Sequence, residues 1–305
     1  MDLSTAPYIG RFAPSPTGPL HAGSLLAAVA SYIDAKANNG KWLLRIEDVD
    51  RLRIVKGASD SILLALEQHG LHWDGEIQYQ SNNDADYQQA LNQLIDDQHI
   101  FYCNCSRTHL RQFGGPYPGF CRSVKSTQYQ IASRQQPASH AIRFDINSCG
   151  QSQVEFSDRI LALQRFDLVE LGDFILRRRD SLFAYQLAVV VDDAKDGINN
   201  VVRGADLLSS TPWQIALQQA LKLPQTKYAH LPLLIDHAKG QKLSKQTGAQ
   251  AIDNTIAASN ICSALAQLGQ NLPAEAKTLP VTELLNCAIE HWQIERVPKA
   301  AITGN

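Results

Sequence analysis

The chain has 305 residues and is nearly balanced in charge, with 28 Lys+Arg against 30 Asp+Glu for a formal −2. That length suggests about two domains. Its 44% apolar and 19% charged content supplies a core and excludes global disorder. The near-neutral balance argues against non-specific coating of nucleic acid, although a local basic face stays open because the mean hides the distribution. No apolar stretch approaches the ~20 residues of a spanning helix. Met1 to Thr5 is acidic and soon reaches Pro14 and Pro16, unlike a secretory signal. A cytoplasmic protein without membrane association is expected.

Tyr8 to Ala13 reads as a buried strand stopped by Pro14. Pro14 to Gly23, with three prolines and two glycines, reads as a shaped loop. From Ser24 to Ala37, Leu25, Leu26, Val29, Ile33 and Ala37 recur at helical spacing, with Gly40 as the stop. Lys41 to Ile46 is a second strand. Strand, loop, helix and strand make a βαβ unit, the opening of a nucleotide-binding α/β sheet whose ligand lies over the strands' carboxyl ends. Ser59 to His69 and Ala85 to Gln98 follow as helices. Phe101 to Asp180 changes character, with clustered cysteines, a Gly-Gly-Pro turn and short strands such as Ala141 to Phe144, and reads as an insertion. Leu182 to Gly204 returns to apolar character. Trp213 to Leu221 is helical, Leu231 to Ile235 a strand, Lys239 to Gly248 a charged loop, and the remainder helical. The expected division is 1–100 and 181–248 as halves of one α/β domain, 101–180 inserted, and 249–305 a small helical part.

Between the first strand and its helix, Gly18 and Gly23 let backbone approach a phosphate, Ser24 can cap the helix, and His21 can donate to an anionic oxygen. The loop matches neither GxGxxG nor GxxxxGK[ST], which disfavours those nucleotide classes. Far along the chain, Lys242, Ser244 and Lys245 form a Lys-Leu-Ser-Lys run that can close over a triphosphate as pyrophosphate leaves. Asp192 and Asp193 are adjacent and point apart, so they suit polar support rather than a shared metal. Mg²⁺ should arrive with a nucleotide triphosphate rather than in a protein cage. Arg45 and Asp48 are expected to pair and organise a strand end. Arg177 to Arg179 is the densest basic triplet, suited to phosphates or to a solvated strand edge.

Six cysteines are too few for a disulfide scaffold in a chain this long, and Cys103, Cys105 and Cys121 offer three soft ligands within 19 residues, which reads as metal chemistry. A fourth donor could be Tyr117, His109, His99 or Cys149. Spacing favours His109, since imidazole is the commoner ligand. Cys149, Cys262 and Cys287 read as small core residues.

Arg11-Phe12-Ala13-Pro14-Ser15-Pro16-Thr17-Gly18 running into His21-Ala22-Gly23-Ser24 resembles the opening of class I aminoacyl-tRNA synthetases of the glutamyl type. Arg45 to Asp50, Tyr185 to Asp193, Val202 to Leu207 and the KMSKS-like Lys242 to Gln246 resemble the following blocks, in order. The resemblance implies a Rossmann-type nucleotide-binding domain carrying an inserted zinc-containing subdomain where RNA is held, and a C-terminal helical subdomain. It implies an ATP site at Gly18, His21, Gly23, Ser24, Lys242, Ser244 and Lys245, with His21 and Lys245 catalytic. It implies a glutamate site at Arg11, Phe12, Ala13, Pro14, Ser15, Glu47, Tyr185 and Arg203. Two arginines suit glutamate's two carboxylates, and Glu47 its ammonium. Only 57 residues follow the KMSKS-like loop, short for an anticodon-binding domain. That outline is similar to a short branch of the family, which transfers glutamate to queuosine in the anticodon of tRNA(Asp). The branch uses a tyrosine four residues before its last cysteine, which implies Tyr117 as the fourth ligand of one structural Zn²⁺. A monomer is expected. The competing expectations are a truncated enzyme charging tRNA(Glu) and a non-catalytic RNA-binding relative.

Overall fold

The computed structural model describes residues 6–112, 114–122, 140–236 and 250–304. Strand β1 (Ile9–Phe12), helix α1 (Ala22–Ala37), strand β2 (Lys41–Ile46), helix α2 (Ala58–Gln68), strand β3 (Gln78–Tyr79) and helix α3 (Asp84–Asp96) come first. Helix α1 starts two residues before the expected Ser24, because the His21 side chain accepts the Ser24 N–H and satisfies a first-turn donor. It stops at Asn38 and Asn39, the latter left-handed at φ 51°. Gly40 serves close packing instead: a Cβ there would sit 2.5 Å from the Tyr8 carbonyl oxygen.

The second half supplies helix α6 (Tyr185–Lys195), strand β9 (Asn200–Gly204), helix α7 (Thr211–Ala220) and strands β10 (Lys227–Leu231) and β11 (Leu234–Asp236). Between the halves lie β4 (Ile100–Cys103), α4 (Arg107–Arg111), β5 (Ala141–Phe144), β6 (Gln153–Asp158), β7 (Ala162–Asp167), α5 (Leu168–Leu171) and β8 (Ile175–Arg177). The expected strand Leu231 to Ile235 is two strands, because Pro232 has no N–H for the ladder.

Strands β1, β2 and β3 pair in parallel, with Ile9 opposite Lys41 and Arg45 opposite Gln78. On the other side β9 and β10 pair in parallel, and β10 meets the antiparallel β6–β7 hairpin through Tyr228 and Asp158. Backbone N–H of Asn199 to the Ile9 carbonyl (3.0 Å) and Ile9 N–H to the Asn199 side chain (2.9 Å) join the two sets at β1 and β9. The strand order therefore reverses direction between β1 and β9, the switch point at which open α/β sheets bind ligands. Strands β4, β5 and β8 form a separate antiparallel sheet.

Helix α1 is buried on several sides, through Leu25, Leu26, Val29 and Ile33, because it lies between the sheet and helices α8 (Ala257–Gln267) and α9 (Val281–Glu290). Each such aliphatic contributes about 1.5–3 kcal/mol. The C-terminal segment is not all helix as expected. Its last strand, β12 (Ile302–Gly304), pairs in parallel with β11. Buried Asp34 ties this assembly together, accepting from both Arg159 guanidinium nitrogens (2.6 and 2.9 Å), the Trp292 indole (2.9 Å) and the Tyr8 hydroxyl. A second core gathers α3, α6 and α7 with β4, β5, β6 and β8.

Candidate active site and cysteine cluster

A cavity of 520 Å³ opens at the switch point. Arg11 reaches it from the end of β1, Glu47 from just past β2, Tyr185 from the start of α6, and Arg203 from β9. Phe12, Ala13, Pro14 and Ser15 form one wall, and His21, Gly23 and Ser24 another at the N-terminus of α1. The Glu47 N–H donates to the Pro14 carbonyl (3.0 Å), clipping the end of β2 to the proline loop. Gly18 does not line the cavity. Its φ of 139°, a conformation that L side chains rarely adopt, bends the loop that presents His21. Lys242, Ser244 and Lys245 lie outside the described residues.

Charge in this pocket is arranged from behind. Arg11 Nε lies 3.2 Å from Asp193 Oδ1, and fully buried Arg45 lies 2.7 Å from the same oxygen. Burial pushes the Asp193 carboxyl up, but Arg11 and Arg45 outweigh it and hold it below its ordinary value. Asp192 lies on the other side of Arg45, 3.8 Å from its Nε, and accepts from Gln80 (2.9 Å), Asn83 (2.8 Å) and Tyr87 (2.7 Å). Both aspartates are thus supports, as their sequence positions suggest. Arg45 does not pair with Asp48: it turns into the helix carboxylates, while Asp48 accepts from the Ser81 amide (2.8 Å) and hydroxyl (2.7 Å). Alternation along β2 puts Arg45 inside, where several carboxylates compete for it.

Glu47 sits 3.6 Å from Arg45, and its Oε1 is buried without a hydrogen-bond partner. Burial pushes this carboxyl up to about 7, against the pull of Arg45 and Arg11. A buried acceptor left open in a cavity suits a cationic ligand group. Arg203 presents the complementary case. It donates from Nε to His230 Nε2 (3.2 Å) and from Nη2 to the Thr211 hydroxyl (2.8 Å), and its Nη1 is buried without a partner. An acceptor and a donor without partners, on two residues that line the same cavity, suit a ligand carrying both charges.

His21 accepts the Ser24 N–H at Nδ1 (3.3 Å), which places the ring proton on Nε2, 3.0 Å from the Ser24 hydroxyl. With the first-turn N–H groups of α1 this forms an anion-binding corner.

The cysteine cluster is a separate centre. The Sγ atoms of Cys103, Cys105 and Cys121 lie within 4.8 Å of one another, with Cys105 and Cys121 3.7 Å apart. The Tyr117 hydroxyl joins them, 3.6 Å from Cys103 Sγ and 3.8 Å from Cys105 Sγ, and accepts the Cys121 N–H at 2.9 Å. Four-coordinate zinc with bonds of ~2.3 Å to sulfur has tetrahedron edges of about 3.8 Å, so these separations fit. Tyr117 is held by stacking on Phe101 (5.9 Å) and by the Arg143 guanidinium over its ring (4.0 Å). The other candidate donors are engaged elsewhere: His99 contacts the Ser148 hydroxyl (2.8 Å), and His109 meets Phe120 edge-on. Cys149, Cys262 and Cys287 are half-buried and pack against the edges of the two cores.

The arginine triplet does not act as one face. Arg177 donates to Gln88 (3.3 Å), Arg178 lies between Asp180 (2.7 Å) and Asp50 (3.3 Å), and Arg179 donates to the Asn104 carbonyl. Sequence reasoning also misses Asp158, Thr211 and His230, the groups behind Arg203. One signal is available: alternation along β6 puts Asp158 on the same buried face as Val154 and Phe156, and a buried carboxylate needs a partner.

A family model described as "tRNA synthetases class I (E and Q), catalytic domain" matches residues 9–263. The chain is 46% identical over 288 residues to a "Glutamyl-Q tRNA(Asp) synthetase" of Idiomarina loihiensis, covering 93% of this chain and 96% of that one. It is 44% identical over 298 residues to a protein of the same name from Ectopseudomonas mendocina, covering 98% and 97%. A crystal structure of a glutamate tRNA ligase from Elizabethkingia meningosepticum in complex with its amino acid superposes with a TM-score of 0.82 at 24% identity. That match covers 98% of this chain and 67% of that one, a likeness of fold.

Proposed function

The chain belongs to the class I tRNA synthetases of the E and Q type, and from that premise we propose that it activates glutamate with ATP and transfers it to queuosine at the wobble position of tRNA(Asp). The observation that carries this reading is the near-full-length similarity to proteins of that named activity. The cavity, lined by a carboxylate and a guanidinium that each keep one buried atom without a hydrogen-bond partner, supports it.

In this reading Arg11 and Arg203 take the two carboxylates of glutamate, Glu47 takes its ammonium, and Tyr185 with Phe12, Ala13, Pro14 and Ser15 shapes the wall. The α-carboxylate attacks the α-phosphorus of ATP in line. Pyrophosphate leaves, and glutamyl-adenylate stays in the cleft. His21 and the N–H groups at the start of α1, with Gly23 and Ser24, stabilise charge that develops on phosphate oxygens, aided by Lys242, Ser244 and Lys245, while Gly18 shapes the loop that presents His21. Mg²⁺ accompanies ATP. A ring hydroxyl of queuosine then attacks the adenylate carbonyl and releases AMP. No side chain is the nucleophile, so catalysis is positioning plus electrostatics.

Cys103, Cys105, Cys121 and Tyr117 would hold one Zn²⁺, which supplies a structural staple to the loop-rich part of the 101–180 insertion. The remaining division is 1–100 with 181–248 as catalytic domain and 249–305 as a helical subdomain. The enzyme acts as a cytoplasmic monomer, and no helix among the described residues is long and apolar enough to cross a membrane.

The test is incubation with ATP, labelled glutamate and purified tRNA(Asp) with or without queuosine, beside tRNA(Glu). Label on queuosine-bearing tRNA(Asp) alone supports the proposal. Label on tRNA(Glu) replaces it with a shortened charging enzyme. No label together with no glutamate-dependent pyrophosphate exchange leaves a binding protein.

A further inference from the structure

Arg11 and Arg203 both enter the cavity, but they are neutralised differently. Arg11 meets the Asp193 carboxylate directly. The partners of Arg203 are uncharged: His230 Nε2, the Thr211 hydroxyl and, at 3.5 Å, the Leu207 carbonyl. The face of Tyr228 lies 5.3 Å away.

Behind His230 stands Asp158, its Oδ2 2.6 Å from the imidazole Nδ1, both side chains wholly buried. The other carboxylate oxygen accepts three backbone N–H groups, from Leu161 (2.8 Å), Ile160 (2.9 Å) and His230 itself (3.3 Å). Burial lowers the His230 pKa, and the Arg203 Nε–H donated to Nε2 requires a lone pair on that nitrogen. The ring's one proton is on Nδ1, donated to Asp158, which leaves the Nε2 lone pair to accept from Arg203.

We propose that Asp158 and His230 are positioning residues: by fixing this tautomer they hold Arg203 with no carboxylate bonded to its guanidinium among the described residues. They thereby set the preference of the pocket for a carboxylate side chain over a carboxamide. The imidazole passes on the orientation that Asp158 imposes while keeping the aspartate's charge one ring away from the guanidinium. A carboxylate in the place of His230 would neutralise Arg203 and favour glutamine as readily as glutamate. This rests on the glutamate reading above and adds two residues to it.

The discriminating variant is Asp158→Asn. Three backbone N–H groups require the asparagine oxygen to stay where Oδ1 is, so its NH₂ faces Nδ1. The ring proton then moves to Nε2, where the Thr211 hydroxyl oxygen (3.0 Å) can accept it, and the Arg203 Nε–H loses its acceptor. Glutamate-dependent pyrophosphate exchange should show the KM for glutamate rising roughly ten- to a hundredfold, the cost of an unpaired buried donor. Selectivity for glutamate over glutamine should fall with it. The KM for ATP, and kcat at saturating glutamate, should stay within about twofold. As a second comparison, His230→Gln keeps an acceptor for Arg203 and should retain more glutamate selectivity than His230→Leu.

An unchanged KM for glutamate in Asp158→Asn overturns the proposal. So does a KM for ATP that rises in parallel, or equal selectivity in the two His230 variants. A parent protein without glutamate-dependent exchange overturns the functional reading itself, and this proposal with it.

Discussion

In the pocket, Arg11, Glu47, Tyr185 and Arg203 come from four elements spread over 193 positions of the chain, while the cysteine cluster draws Cys103, Cys105, Tyr117 and Cys121 from 19 consecutive residues. The pocket side chains are held from behind by buried partners: Arg11 by Asp193, and Arg203 by His230 and Thr211. The cluster rests on a small apolar patch of Phe101 and Ala141, with Cys105 and Cys121 only half-buried. A site assembled from distant strands is as stable as the sheet beneath it. A site on one short segment needs a local restraint, and that is the work a metal does in a loop-rich module.

Asp193→Ala puts the greatest strain on this contrast. It leaves Arg11 and Arg45 buried without their shared carboxylate and should cost about 3–5 kcal/mol in chemical denaturation. A loss below about 1 kcal/mol would mean that the pocket is not held from behind. Next, Cys105→Ser should take bound zinc, measured by elemental analysis, from about one per chain toward zero. Glutamate-dependent pyrophosphate exchange should persist and transfer to tRNA should fall, because the cluster lies apart from the cavity. A parallel loss of exchange would show that the cluster and the cavity are coupled.

A smaller effect follows from Glu47. A carboxyl pushed up to about 7 by burial is largely protonated on the acid side of that value, so the ammonium anchor is lost as pH falls. The kcat/KM for glutamate should therefore drop with a limiting slope of about tenfold per pH unit below about pH 7. A flat profile across that range would remove Glu47 from ammonium binding. Smallest of all, Arg165→Ala should change stability by less than about 1 kcal/mol, since the Arg165–Glu155 pair on the outer hairpin is exposed on both sides. This marks the floor against which Asp193→Ala is read.

Much of the fold and of the site is legible in the amino-acid order. The periodicity of Leu25, Leu26, Val29 and Ile33 locates α1, and the proline-rich loop ahead of it locates the switch point, because both signals are local. The partner of Arg45 is not legible in this way, since its neighbours in the chain point to Asp48. Only the packing of α6 against β2 shows that Asp193 is nearer. The C-terminal segment reads as helix throughout. Strand β12 exists because β11 offers it a parallel partner, a condition that no local pattern contains.

Residue type and short spacing are properties of the chain, and they suffice for the α/β class, the order of the motif blocks and three of the four donors of the cluster. Which charges meet is a matter of packing. The fold puts Asp193 between Arg11 and Arg45, leaves one oxygen of Glu47 and one nitrogen of Arg203 buried without a hydrogen-bond partner, and stands His230 and Asp158 behind Arg203. Electrostatic partners are chosen by distance in space within a poorly screened interior. That distance is set by how the strands align in the sheet rather than by how residues follow one another along the chain.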